Sequence, residues 1–364
     1  MTGGPRRVLF DGYWFGRGPI ANRLVQREIV QAWASAFPHD DVVVALRGRE
    51  PERAVDVPAG VRTVRTRLYP HALSNLVELG ALARRTDADW VLSHNYTPWT
   101  RRRTLTFVHD VMFVDHPDWF SRPERAYFSL MVPTARRAGV IATSTDTEAR
   151  RIRRATRARR PVVPVGLGVA RTLTSAEPAR PDGLDGIADF ALCVGRLNVR
   201  KNLGAVVAAA RESRCVTAAS PLLVVGSAEH SGQTADLPVD VRELTDSGVV
   251  RFLGRVTDDE LAWLYRNASV TAFLSRDEGF GLPVVEALTF GSPLVLSDIE
   301  VFREVAGDAA RFVPLDASPR VVAQALDTQW GRPADASSVT QVLDRYTWAG
   351  CVARLRAALE SVDI

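Results

Sequence analysis

Short runs of β-branched and aliphatic residues alternate along this chain with longer segments whose apolar positions fall near helical spacing. In the first half such runs lie near 6–10, 42–46, 90–93, 105–108 and 140–143, and each predicts a strand. Between them Ile20, Leu24, Ile29, Trp33 and Phe37 mark a helix over 20–37, and 124–137 reads as another. Strands separated by helices lie parallel in one sheet, so the pattern predicts a βαβ domain. Residues 170–186 are rich in Pro, Gly, Ser and Asp and keep neither period, which predicts a linker. A second alternating series opens at Phe190, with strands near Ala191, Leu223, Val250, Val270, Leu294 and Phe312. The expectation is an α/β chain of two doubly wound, Rossmann-like domains facing a cleft: 1–169, the linker 170–186, then 187–346, with a final helix over 347–364.

Composition bounds this picture without changing it. The 364 residues are 46% hydrophobic, enough for two or three buried cores. Cys193, Cys215 and Cys351 are few, odd in number and widely spaced, so they read as reduced thiols and favour a cytoplasmic protein. The apolar stretch after the basic start is short and broken by Asp11 and Gly12, so neither a leader nor a transmembrane helix is expected. Net charge is only +4, yet arginines gather at 101–103 and over 150–160. Those runs suit anionic lipid headgroups on the inner membrane face or a phosphorylated acceptor, or are simply solvated helix faces. No nucleic-acid fold signature accompanies them, so nucleic acid is not an expected partner.

The chemistry concentrates in Glu278-Gly-Phe-Gly-Leu-Pro-Val-Val-Glu286, between the apolar run 270–274 and a helix-prone stretch. Gly279 and Gly281 permit close backbone approach, and Pro283 sits in the first helical turn, where its missing amide costs nothing. A strand, a glycine turn and a helix start together present free amides to an anion. Carboxylates accept paired hydrogen bonds from vicinal hydroxyls, so Glu286 suits a ribose diol and Glu278 a second sugar. A nucleotide sugar fits both. Lys201 is the only lysine among 46 basic residues and stands in Val194-Gly-Arg-Leu-Asn-Val-Arg-Lys-Asn202, after a strand-like run. With Arg196 it reads as a diphosphate clamp.

Gly195-Arg196 with Lys201-Asn202, followed by Ser275-Arg-Asp-Glu-Gly-Phe-Gly-Leu-Pro-Val-Val-Glu-Ala-Leu288, resembles the retaining GT-B glycosyltransferases of the large fourth sequence family, bacterial mannosyltransferases in particular. Segments 221–227, 250–256 and 259–268 fall between these motifs in the family's order. Thr106-Phe-Val-His-Asp-Val-Met-Phe113 and His116-Pro-Asp-Trp-Phe120 are similar to its histidine motif. The resemblance implies a donor in the second domain, an acceptor in the first, a last helix crossing back to the first domain, and reaction in the cleft. It implies catalytic roles for His109, Arg196, Lys201 and Glu278, with Glu278 positioning sugar rather than acting as nucleophile. Donor contacts are expected from Gly226, Arg255, Val256, Gly279, Phe280, Gly281, Leu282 and Glu286, the base lying near Gly226 and the 255–256 backbone.

The segment 12–18 departs from the family's tighter glycine turn because Trp14 and Phe15 are bulky. Gly16 and Gly18 are candidates for a phosphate contact, and Trp14 and Phe15 for stacking on an acceptor sugar. His94, Asn95, Tyr96 and Trp99 follow a strand and are candidates for the acceptor groove. Asp87-Ala-Asp89 looks like the acidic triplet of metal-using transferases, but it directly precedes the strand near 90–93 and reads as part of that strand's start. No metal or cofactor is expected: Arg196, Lys201 and the helix start near Leu282 supply the positive charge a leaving diphosphate needs.

The resulting expectation is hexose transfer from a nucleotide sugar, mannose from GDP-mannose first, to a saccharide or glycolipid hydroxyl. A UDP- or dTDP-sugar donor, a GT-B epimerase, a phosphorylase with Lys201 carrying pyridoxal, and a non-catalytic basic binder are the alternatives.

Overall fold

The computed structural model describes residues 4–48, 57–196, 198–226 and 241–361. The chain divides into two compact units, one of residues 1–167 together with 347–364, the other 168–346.

The first unit holds a seven-stranded parallel sheet of β1 (Arg7–Gly12), β2 (Asp41–Arg47), β3 (Arg62–Thr66), β4 (Trp90–His94), β5 (Arg103–Phe107), β6 (Val140–Thr143) and β7 (Val162–Pro164). Their order is β3-β2-β1-β4-β5-β6-β7. The five strands read from the sequence all form. The two additional ones, β3 and β7, are the outermost, where β3 alternates arginine and threonine in half-exposed positions and hides the apolar signal. Helix Ile20–Ala36 follows the predicted span and buries Val25, Ile29, Val30 and Trp33. The helix expected over 124–137 is instead two short ones, Arg122–Phe128 and Met131–Ala135.

The second unit holds β8 (Ala191–Val194), β9 (Leu222–Val225), β10 (Val250–Gly254), β11 (Val270–Phe273), β12 (Leu294–Ser297) and β13 (Arg311–Val313), in the order β10-β9-β8-β11-β12-β13. All pairings are parallel. Its core packs Val206, Val207, Leu222, Val224, Val270, Ala272, Val295 and Leu326. In each sheet the strand order reverses beside the first strand, between β1 and β4 and between β8 and β11. Ligands of doubly wound sheets bind outside the carboxyl ends of the strands at such a reversal.

Residues 170–186 are not a free linker. The segment packs on the second unit: Glu177 N donates to Asp259 Oδ1 (3.0 Å), Arg180 lies over Trp263, and Leu173 and Leu184 are buried. Its turn-rich composition marks irregular backbone, but the leucines spaced through it anchor it. The last helix, Trp348–Glu360, belongs to the first unit. Arg356 pairs there with Asp40 and lies over the ring of Phe37 (4.4 Å), and Arg354 Nε donates to the Val165 carbonyl (2.7 Å).

Candidate active site

At the β8–β11 reversal two loops meet. After β8, Gly195 adopts φ +155°, and a single 3-10 turn, Val199–Lys201, is capped by Asn198, whose side chain accepts from Lys201 N (3.1 Å). After β11, the chain runs through Ser275 to Glu278. Arg276 N donates to the Arg200 carbonyl (2.8 Å) and ties the loops together.

Across that junction Lys201 Nζ meets Glu278 Oε1 at 2.6 Å, and Arg200 Nη1 lies 3.8 Å from Glu278 Oε2. Ser275 Oγ donates to Glu278 Oε1 (2.8 Å) and Ser297 Oγ to the Ser275 carbonyl (2.5 Å). Glu278 is 4% exposed. Burial alone would raise its pKa, but Lys201, then Arg200, and the hydrogen bonds from Lys201 and Ser275 bring it down to about 2. It is a carboxylate at any physiological pH and cannot serve as an acid. Arg196, half-buried beside this pair, is held below the usual guanidinium range by burial and by Arg200.

Gly281 caps helix Leu282–Thr289 in the left-handed region (φ +87°), where a Cβ would stand 2.8 Å from the Phe302 ring. The glycine is therefore required by the turn and by the close approach together. Gly279 is half-exposed in the loop, and Leu282 and Pro283 begin the helix, whose first turn leaves backbone amides without an intrahelical partner. Glu286, one turn further on, accepts from Tyr265 Oη (3.1 Å) of helix Asp258–Asn267. Burial pushes its pKa up to about 7.

Gly226 (φ +142°) follows β9, and a Cβ there would lie 1.8 Å from the Gly195 carbonyl oxygen. Gly226 N donates to the Gly254 carbonyl (2.8 Å), which brings the exposed Arg255 and half-buried Val256 to the same sheet edge. Phe280 lies in the glycine turn expected to meet the donor. Its ring is buried edge-on against Tyr346 (5.1 Å), so any donor contact from it must use its backbone.

In the first unit, Asp11 at the end of β1 is 2% exposed and fully satisfied. It accepts from Tyr13 N (3.0 Å), Asn75 Nδ2 (2.8 Å) and His94 N (3.2 Å), and pairs with His71 Nε2 (2.8 Å). Beside it His94 and His109 stack, ring centroids 5.5 Å apart. His109 follows β5, as expected, and Asn95 Oδ1 accepts from its backbone amide (3.3 Å). Among the described residues His109 Nε2 and His94 Nδ1 are buried with no protein partner. Burial, reinforced by its neighbouring histidines, holds His109 well below the usual range, so it is neutral at pH 7. A neutral imidazole with an unmet nitrogen suits a hydroxyl.

Of the other first-unit candidates, Trp14 and Tyr96 pack against His71, their ring centroids 5.3 and 5.7 Å from its own. Phe15 and Tyr96 are each 1% exposed and pack in the core, Tyr96 Oη donating to the Tyr127 carbonyl (3.3 Å), so neither offers a face to a sugar. Trp14 is half-buried, its Nε1 donating to His71 Nδ1 (3.3 Å). Gly18 (φ +127°) serves that ring, since a Cβ would stand 2.1 Å from it, and Gly16 lies half-buried in the same turn. Trp99 is 56% exposed under Arg137, away from the histidines. Asp87 and Asp89 hold Arg102 Nη2 and Arg7 N at the start of the strands.

Sequence reading missed Asp11, His71, Asn75, Arg200, Ser275 and Tyr265. An aspartate inside the apolar strand 7–12 was the signal for the first of these, and Arg200 adjoins Lys201. Tyr265 reads as one more apolar helix position.

Two parallel-sheet Rossmann-like units in this order define the GT-B class. Residues 180–328 match the family described as glycosyl transferases group 1. Over nearly its full length the chain superposes on sucrose-phosphate synthase from Thermosynechococcus elongatus (TM-score 0.71, 17% identity, 98% of this chain and 99% of that one). It does so also on HepE of Anabaena in complex with UDP and glucose (TM-score 0.66, 17% identity, 98% and 100%). By sequence it is similar to O-antigen chain mannosyltransferase B of Escherichia coli, 32% identical over 44% of this chain and 43% of that protein. It is also similar to phosphatidyl-myo-inositol mannosyltransferase of Mycolicibacterium smegmatis, 30% identical over 55% and 52%. The matched part thus spans about half the length of these relatives.

Proposed function

We propose that the protein transfers a hexose, with retention and without metal, from a nucleotide sugar to a hydroxyl of a saccharide or glycolipid, and that the donor is GDP-mannose. The observation that carries this is the Lys201–Glu278 pair at the β8–β11 reversal, flanked by Arg196, Arg200 and the amides of helix Leu282–Thr289. Positive groups gathered at strand ends suit a leaving diphosphate. Glu278, ionised and oriented by Ser275, accepts from sugar hydroxyls and fixes the ammonium of Lys201. In the first unit the unmet Nε2 of His109 suits a sugar hydroxyl.

The acceptor oxygen bonds to the anomeric carbon on the face the leaving group departs from. The bond from that carbon to the phosphate oxygen breaks, and the acceptor's proton passes to the diphosphate. Glu278 is held by a cation and Glu286 accepts from a tyrosine, so neither is assigned as the base. The similarity to mannosyltransferases supports mannose.

The test is a thermal-shift series, with chelator present, against GDP-mannose, UDP-glucose and a dTDP-sugar, followed by transfer assays with the donor that binds. A ligand held by the native state raises the midpoint by mass action. Selective stabilisation by GDP-mannose is expected. Selective stabilisation by a UDP- or dTDP-sugar replaces the donor, dependence on a divalent cation removes the metal-free reading, and inversion at the anomeric carbon removes the mechanism.

A further inference from the structure

The carboxyl edge of the first sheet carries Asp11 and the histidines, while its amino edge carries a separate cavity. This cavity of about 200 Å³ lies where β5 and β6 begin, with Leu359 of the last helix at its side. Arg101, Arg102, Arg103 and Arg137 line it with Thr100 and Thr104, and none of its lining residues is acidic. Arg102 also reaches Asp87 (2.8 Å), a side chain 73% exposed. Thr100 Oγ1 accepts from Arg102 N and Thr104 Oγ1 from Gly139 N, each at 3.1 Å, so both hydroxyl protons remain to be donated. Gly139 also lines it, at a position where a Cβ would crowd the Thr104 carbonyl oxygen at 2.9 Å.

The other arginine run makes the contrast. On helix Asp146–Thr156, Arg154 pairs with Asp115 (3.0 Å), Arg151 with Glu148 (3.5 Å), and Arg153 donates to the Val162 carbonyl (2.8 Å). That run lies along a helix face, whereas the run at 101–103, with Arg102 paired to Asp87, converges with Arg137 on a concavity. Several guanidiniums lining one concavity favour an anion among them. Guanidinium forks match phosphate oxygens in paired hydrogen bonds, and two hydroxyls complete the set.

We propose that this cavity binds a phosphate group, carried either by an anionic lipid or by a soluble phosphorylated ligand. Trp99, exposed and stacked under Arg137 near the rim, gives a lipid-borne phosphate an amphipathic ring at headgroup level.

Full-length Arg101→Gln/Arg103→Gln protein is compared with the wild type and with Arg150→Gln/Arg154→Gln, which removes the same charge from the neutralised helix. All four arginines are exposed, so the thermal midpoints should agree. Calorimetric titration with inorganic pyrophosphate, in a Lys201→Ala background that weakens the second unit's claim on it, reads a soluble ligand. Co-sedimentation with phosphatidylcholine vesicles, with and without phosphatidylglycerol, reads a lipid. The cavity variant should lose roughly tenfold or more in affinity for one probe, while the helix variant stays within about twofold of wild type. Loss confined to pyrophosphate assigns a soluble ligand, and loss confined to anionic vesicles assigns a lipid. Equal weakening of both variants, or no binding of either probe by the wild type, overturns the site.

Discussion

Lys201 and Glu278 depend on one another more than on the rest of the fold. Substituting Lys201 by Ala strands a buried carboxylate with Arg200 as its remaining cation, so transfer should fall about a hundredfold or more while the far-ultraviolet circular dichroism is unchanged. Wild-type turnover by this variant removes Lys201 from the site. Glu278 has a folded pKa of about 2 against an ordinary 4.5, so the stability it contributes is present above pH 4.5 and lost as pH falls toward 2. Glu286 behaves oppositely. Its folded pKa of about 7 lies above the ordinary 4.5, the folded state holds the extra proton, and stability is lost as pH rises through that window. Glu286→Gln should therefore match wild type near pH 4 and exceed it near pH 8 by up to about 3 kcal/mol in urea unfolding. Equal stabilities at both pH values sink the assignment of a proton there.

At the scale of elements, two glycines decide whether the strand ends can form the site. Gly226→Ala forces a side chain onto the Gly195 carbonyl at a φ that L residues rarely adopt, and should destabilise the second unit by roughly 3 kcal/mol or more. Gly281→Ala meets only the edge of the Phe302 ring and should cost about 1–2 kcal/mol, with donor binding weakened because the helix start shifts. Urea titration and donor titration separate the two effects, and unchanged donor affinity in Gly281→Ala denies the helix start its role.

The same elements show what the sequence made legible. Strands with both faces buried announce themselves as apolar runs, so β8, β9, β11 and β12 were readable, whereas edge strand β3, half exposed and arginine-bearing, was not. Lys201 and Glu278 were legible because local turn chemistry surrounds each. Their 2.6 Å contact, like that between Tyr265 and Glu286, joins residues distant in sequence and is settled only by the order of strands and helices. Phe15 and Tyr96 were misread for a related reason. An aromatic ring in the loop after a strand has the same local signature whether it faces solvent or the core.

For the whole molecule, the last helix is structural. Trp348, Cys351, Val352, Leu355 and Leu359 are buried in it, and each large apolar side chain contributes about 1.5–3 kcal/mol. Their sum rivals the net stability of about 5–15 kcal/mol typical of a domain. A chain ending at Tyr346 should leave the first unit unfolded or aggregated while the second still melts cooperatively, as differential scanning calorimetry would show by loss of one transition. Retention of both transitions would mean the helix is dispensable.

That helix also reverses the timetable of synthesis. On the ribosome the first 167 residues emerge early but wait through 179 more for the helix that completes their core, while the second unit is uninterrupted in sequence. The half that is made first is finished last, and until the helix carrying Trp348 has left the exit tunnel, the surface it will cover is open to chaperones and proteases.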